Sequence, residues 1–391
     1  MDKAKLIMFT VLCSSPLAVH SQAPSKFDKL LIISPHRAAI KEEILPRFKA
    51  FYQKQFRREL QVDWIDHGGA INDQNYLKSR FESSKFQTSG VDIFWGGNEP
   101  IFDSLEDLGL LEQPLKGDSW KKPSSPLIFG QKNRNWQTAS ISTFGLLLNH
   151  KIFTLQKIPP PQTWQDLAKP FYKNLTVIAD PRYSSSSATM MMGFLNAFGW
   201  EKAWALIAAV YANALYFSAS SSEPAHAISS GNAAIAMVID YFANETLAQI
   251  NSKSLQFILP TDFTILTQDP IAILKGAPNP FAARKFVDFI LSEAGQKILS
   301  LQVGEPGGPK NSYIGRTPIL AHLAGKKTLQ LSRKAHPLNL HNPKEQLVLC
   351  DIIGRLLIDQ KKLLNNAWET TSAYENPKLT RPIVSKKEFF Y

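Results

Sequence analysis

Three times within the first hundred residues a short apolar run ends in a polar or glycine turn and gives way to a helical pattern. Leu30-Leu31-Ile32-Ile33 runs into Ser34-Pro35-His36-Arg37, and apolar residues then recur at Ile40, Ile44, Phe48, Phe51 and Tyr52. Val62-Asp63-Trp64-Ile65 leads through His67-Gly68-Gly69 to Tyr76, Leu77 and Phe81. Val91-Asp92-Ile93-Phe94 ends at Trp95-Gly96-Gly97. Short, mainly apolar runs read as buried strands, and spacings of three and four as helices. Successive strand–loop–helix units predict an α/β fold whose parallel sheet is covered on both faces. Ligands of such sheets sit beyond the carboxyl ends of the strands, which singles out loops 34–37, 67–70 and 95–99.

A second block opens with Trp136-Gln137-Thr138-Ala139-Ser140-Ile141, an extended alternation able to cross between lobes. Thr163 is placed to cap a helix starting at Trp164. Val177-Ile178-Ala179 reads as a strand and leads through Asp180-Pro181-Arg182-Tyr183 into four serines, Ser184 to Ser187, at the head of a Met- and Ala-rich helix. Ala233 to Ile239 reads as another strand, closed by Asp240-Tyr241. Asp269 to Ile273 opens a third block, followed by an amphipathic helix from Pro280 to Leu299 and a last one over Pro343 to Ala367, capped by Asn342.

The chain begins with Lys3 and Lys5, an apolar stretch from Leu6 to Val19, and Ser21-Gln22-Ala23. That order is a secretory signal with cleavage expected after Ala23, and the apolar stretch is too short and broken to span a bilayer. Cys13, the alternative lipid-attachment point, follows the bulky Leu12. Cys350 is then the single cysteine of the mature chain, so no intrachain disulfide is expected. The formal charge of +11 suits an anion or a solvated basic face, and no nucleic-acid-binding motif accompanies it.

The order of Pro161-Gln162-Thr163-Trp164, Asp180-Pro181, Gly231-Asn232-Ala233-Ala234-Ile235-Ala236 and Lys275-Gly276-Ala277-Pro278-Asn279 resembles the solute-binding proteins of ABC importers. The resemblance covers residues 28–310 and is greatest to the cluster of ferric-iron, sugar-phosphate, phosphonate, thiamine and polyamine binders. It implies a two-lobed periplasmic binding protein of the second structural type, with a hinged cleft between the lobes. The implied division is a signal over 1–23, a first lobe over 24–140 plus 268–391 with a C-terminal helical extension, and a second lobe over 141–267. It also implies a periplasmic monomer that carries a small solute to a membrane permease, with no cofactor.

The candidate ligand residues follow from loops and caps. Ser184, Ser185, Ser186 and Ser187 put hydroxyls and free N–H groups at a helix start, where an anion is favoured; one of them caps the helix in any case. Gly68, Gly69, Gly96 and Gly97 allow a close backbone approach to a ligand or supply the positive φ of a tight turn. Ser34, His36 and Arg37 belong to the first loop, and Trp95 offers either a stacking wall or lobe-edge packing. Ser142, past the crossover, is a hydroxyl for the cleft or plain strand polarity, while Ser218 and Ser220 to Ser222 read as a surface loop. Asp240 and Tyr241 suit hydrogen bonding to hydroxyls of an organic ligand.

These residues predict an anionic or polyhydroxylated solute of the sugar-phosphate or phosphonate kind. The alternative is ferric iron as transported ligand, held by His36 and Tyr241; iron binders present two adjacent tyrosines, and here Phe242 follows Tyr241. A hydrolase on the same scaffold is a further alternative. The chain lacks Gly-x-Ser-x-Gly, His-Glu-x-x-His, Cys-x-x-Cys and Walker signatures, and Gly304 to Lys310 imitates a phosphate loop without its Ser/Thr.

Overall fold

A computed structural model describes residues 27–84, 88–114, 134–250, 252–324, 336–337 and 343–372. The signal segment, with Cys13 and Ala23, and the cap Asn342 lie outside them. The three opening units form as expected: β1 (Phe27–Ile33), α1 (Ala38–Phe56), β2 (Glu59–Ile65), α2 (Ala70–Ser83), β3 (Ile93–Trp95) and α3 (Glu99–Asp107). β1 lies parallel to β2 on one side and to β3 on the other. Alternation along the strands sends Ile32 and Ile93 to one face and Ile33 and Phe94 to the other. The first face packs on α1 and on α9 (Pro280–Leu291), with the rings of Phe48 and Phe286 edge to face at 5.0 Å. The second packs on Leu77 of α2 and Phe102 of α3.

Two long strands carry the chain between the lobes. β4 (Gln137–Asn149) and β9 (Ile265–Ile273) run antiparallel, from Gln137 opposite Ile271 to Thr143 opposite Leu266. β9 also pairs antiparallel with β3, so the sheet is mixed rather than purely parallel. Past Phe144, β4 leaves β9 and pairs with β7 (Ile235–Ile239) and β8 (Leu255–Ile258). β5 (Thr176–Ala179) and β6 (Ala214–Ser218) complete the second lobe, in the order β2-β1-β3-β9-β4-β7-β5-β6. The boundaries expected near 140 and 268 thus fall inside β4 and β9, the two crossing strands. Every residue of both is buried, as for strands flanked on both faces.

The second core gathers around α5 (Ser185–Phe198) and α6 (Trp200–Asn213), with Trp164, Phe194 and Trp204 fully buried. α4 (His150–Gln156), α7 (Glu223–Ser229) and α8 (Asp240–Ile250) complete its helices. Three helical expectations change. The helix foreseen at Trp164 is two short 3-10 turns, because Pro170 cannot continue the first. The helix over 280–299 breaks at Ser292, whose hydroxyl caps α10 (Glu293–Ser300) by accepting the Gly295 N–H. The last helix is interrupted by a π turn, Gly354–Ile358, which separates α11 (Pro343–Ile353) from α12 (Lys361–Ser372).

That C-terminal extension, expected with the first lobe, packs its apolar face into the core of the second, while its first helix also lies against α3 of the first. Leu349, Ile353 and Leu357 belong to the α5–α6 core, and the Arg182 guanidinium, paired with Asp180, donates to both oxygens of Asp359. The sequence period placed an apolar face on α11 without saying which surface would cover it.

Candidate functional site

The loops after β1, β2 and β3 converge with the starts of α5 and α8 on a cleft of about 430 Å³ between the lobes. His36, Arg37, Gly68, Gly69 and Gly97 line it from the first lobe. Ser142, Ser185, Ser186 and Tyr241 line it from the crossing strand and the second lobe. The remaining expected residues stand behind this lining. The Ser34 hydroxyl accepts the His36 N–H, Ser184 caps α5 by accepting the Ser187 N–H, and Ser187 is buried on that helix. Asp240 accepts the Thr143 N–H and hydroxyl, and Trp95 is fully buried with its indole N–H donating to Asp269. Gly96, with φ +105°, lets the backbone pass His36, since a Cβ there would lie 2.9 Å from Nε2. The amides of Gly68 and Gly69 donate to Asp66 Oδ1 at 2.9 and 3.0 Å, so they shape the loop.

Several lining residues were not foreseen: Tyr183, Thr267, Gln268, Asp269 and Arg316. Ser220, Ser221 and Ser222, read as a surface loop, also face the cleft, because Ser221 Oγ meets Ser184 Oγ at 2.8 Å.

Arg316 is the centre of the electrostatics. Its residue is 4 % exposed, its guanidinium lies 3.6 Å over the Tyr241 ring, and its Nη1 is 3.8 Å from Asp269 Oδ2. The latter separation is an ion pair but no hydrogen bond. Among the described residues the Arg316 side chain makes no hydrogen bond, and its Nε is buried without a partner. A buried guanidinium whose Nε has no acceptor is costly, and an anionic acceptor would complete it.

Asp269 is already committed. It accepts from His36 Nε2, the Trp95 indole and the Ser140 hydroxyl, each at 3.2 Å. Burial opposes its ionisation, but His36, Arg316 and these hydrogen bonds hold the carboxyl below the usual carboxylate range. Burial pushes the His36 imidazole below its ordinary value against the pull of Asp269. Opposite the Asp269 carboxylate, Nε2 of the ring is the donor. The loop bearing Arg316 is fixed at both ends. Glu43 of α1 accepts the N–H groups of Lys310, Asn311 and Ser312, and the Arg316 N–H bonds the Leu299 carbonyl.

Helix starts reinforce the positive character. α1, α2, α5 and α8 all begin at the cleft, where Arg37, Gly69, Ser185 and Tyr241 line it. Unsatisfied N–H groups at helix N-termini attract anions. Arg37 itself pairs with Glu245 and stacks 4.5 Å from the Phe242 ring. Among the described residues no His, Cys, Asp and Glu cluster suited to a metal ion is found, and no helix is long and apolar enough to cross a membrane.

Two α/β lobes joined by a pair of crossing strands, with a polar cleft beside the crossing, define a binding protein of the periplasmic type. The family described as bacterial extracellular solute-binding protein matches residues 91–312, over half of the chain, and the chain belongs to it. The phosphoglycerate transport regulatory protein PgtC of Salmonella typhimurium is 31% identical over 240 residues, 60% of this chain and 53% of the relative. The chain thus spans about half the length of that relative. The periplasmic binding protein AfuA of Actinobacillus pleuropneumoniae, solved with fructose-6-phosphate, aligns over 88% of this chain and 98% of its own, with a TM-score of 0.64 and 21% identity. The apo ferric ion-binding protein A of Pasteurella haemolytica aligns over 83% and 97%, with a TM-score of 0.59 and 14% identity. Both likenesses are of fold.

Proposed function

We propose that this chain is the periplasmic receptor of an ABC importer, closing its lobes on a small phosphorylated, hydroxyl-bearing anion and presenting it to a membrane permease. Arg316 carries the reading: a buried cation, without a hydrogen-bond acceptor, in a cleft onto which four helices open their N-termini. The hydroxyls of Ser185, Ser186 and Ser220 to Ser222 suit the remaining oxygens of such a solute. The names of two similar proteins, one for phosphoglycerate transport and one solved with fructose-6-phosphate, support the same class.

A ferric ion is the second reading, since His36 and Tyr241 share the cleft. The fixed positive charge 3.6 Å from the Tyr241 ring repels a trivalent cation, which favours the anion.

A melting-temperature panel of fructose 6-phosphate, 3-phosphoglycerate, a phosphonate, spermidine, thiamine and ferric citrate tests this. Phosphate esters are expected to stabilise the protein by about 3 kcal/mol at a hundredfold excess over Kd. Stabilisation by spermidine, thiamine or ferric citrate alone overturns the reading. Release of inorganic phosphate from the esters marks a hydrolase instead.

A further inference from the structure

We propose that a second cavity, of about 240 Å³, lined by α2, α3, the start of α5 and α11, is a binding site for a small uncharged molecule with an apolar body and one hydrogen-bonding group. The site is separate from the solute cleft and independent of the solute that the cleft holds.

The C-terminal extension creates this space. α11 lies against α3 of the first lobe and α5 of the second. Its Gln346, Leu347 and Cys350 face Ile71 and Ile101 from the first lobe and Ala188 from the second across the cavity. An occupant thus touches both lobes. Ser185 lines cavity and cleft alike, and Asn98 of the cavity wall donates to Thr189 of the cleft wall at 3.0 Å, so α5 stands between the two spaces.

The walls set the chemistry of the occupant. Arg182 and Asp351 are the charged residues of the lining, and both are engaged, Arg182 by Asp180 and Asp359 and Asp351 by Arg355. An ion entering an apolar cavity with no free counter-charge loses its hydration without compensation. Most polar groups of the lining are engaged as well. Gln74 donates to the Ile101 carbonyl, Ser104 accepts from Lys78, and the Asn98 amide is used at both ends, by the Ile101 N–H and by Thr189. Gln346 differs. It is 7 % exposed, it lines the cavity, and among the described residues its side-chain amide has no hydrogen-bond partner. Such an amide offers a donor and an acceptor, and leaving them unmade is unfavourable. A primary amide on an apolar ring answers both. The volume agrees, since an apolar cavity of about 150 Å³ already admits benzene.

Benzamide is the probe, with benzoate and benzamidinium as ions of nearly the same shape, followed on the intact protein by ligand-observed NMR titration. Benzamide is expected to bind saturably, and either ion should displace it only at about tenfold higher concentration or more. Gln346→Ala should weaken benzamide about fivefold or more. Leu347→Trp, which adds bulk where the lining meets solvent, should also weaken it, while Val348→Ala, half-exposed on the same helix and outside the cavity, should leave it within about twofold. Absence of saturable benzamide binding overturns the proposal. So does displacement by benzoate at equal concentration, which places the probe in the anion cleft, or an affinity unchanged in both Gln346→Ala and Leu347→Trp. The competition by ions uses the wild-type protein, so a misfolded variant does not decide the outcome.

Discussion

The guanidinium of Arg316 lies over the ring of Tyr241, 3.6 Å from its centroid, with Arg316 buried and Tyr241 half-buried in the cleft wall. The contact uses the ring face rather than the hydroxyl, so Tyr241→Phe should preserve binding of phosphate esters within about threefold, whereas Tyr241→Ala should weaken it by about 1 kcal/mol. Ferric citrate should give the wild-type protein no charge-transfer colour. A visible band lost in Tyr241→Phe would restore the iron reading.

Glu43 has an indirect part in the same site. Its carboxylate gathers three backbone N–H groups just upstream of Arg316, and those bonds outweigh burial to hold its pKa down. Glu43→Gln turns one acceptor into a donor facing those amides. We expect a loss of about 1–3 kcal/mol in urea unfolding and weaker ester binding, because the Arg316 loop loses its anchor. Unchanged stability would show that the loop is held elsewhere.

A pH dependence follows from Asp73. Burial pushes its carboxyl up to about 6, against the hydrogen bonds from His67, and its Oδ2 has no partner. The folded chain thus keeps this proton to higher pH than the unfolded one. Stability from Asp73 is present below about pH 4 and is lost as pH rises through about 6. Asp73→Asn should gain about 1–2 kcal/mol near pH 7.5 and nothing near pH 4, read from urea unfolding at both. A gain of equal size at both pH values would contradict this origin.

The C-terminal helices should behave as part of the second lobe. Ile353 is fully buried among α5 and α6 residues, so Ile353→Ala should cost about 2–4 kcal/mol, while the 64 %-exposed Leu363→Ser should stay within about 0.5. Similar small effects for both in thermal unfolding would mean that the extension docks only loosely.

Sequence reasoning reached the elements and the loops better than the site itself. Ile32 and Ile33, or Gly68 and Gly96, announce strand and turn within their own neighbourhood, because periodicity and positive φ are local properties. Arg316 gave no such signal. It sits on an irregular loop, and its partners Tyr241, Asp269 and Leu299 come from three other segments. Trp95 and Ser187 had the right chemistry at the right loops, yet packing turned them inward. The serine loop 220–222 was local in sequence but joined the cleft only through Ser184. The split at Ser292 shows a cap inside what the apolar period reads as one helix.

The most direct measurement is a calorimetric titration of 3-phosphoglycerate into the wild-type protein and into Arg316→Gln, with spermidine as the cationic control. The account predicts saturable one-site binding by the wild type, an affinity about tenfold or more lower in Arg316→Gln, and no heat from spermidine. Undiminished affinity in Arg316→Gln, or binding of spermidine alone, would contradict it.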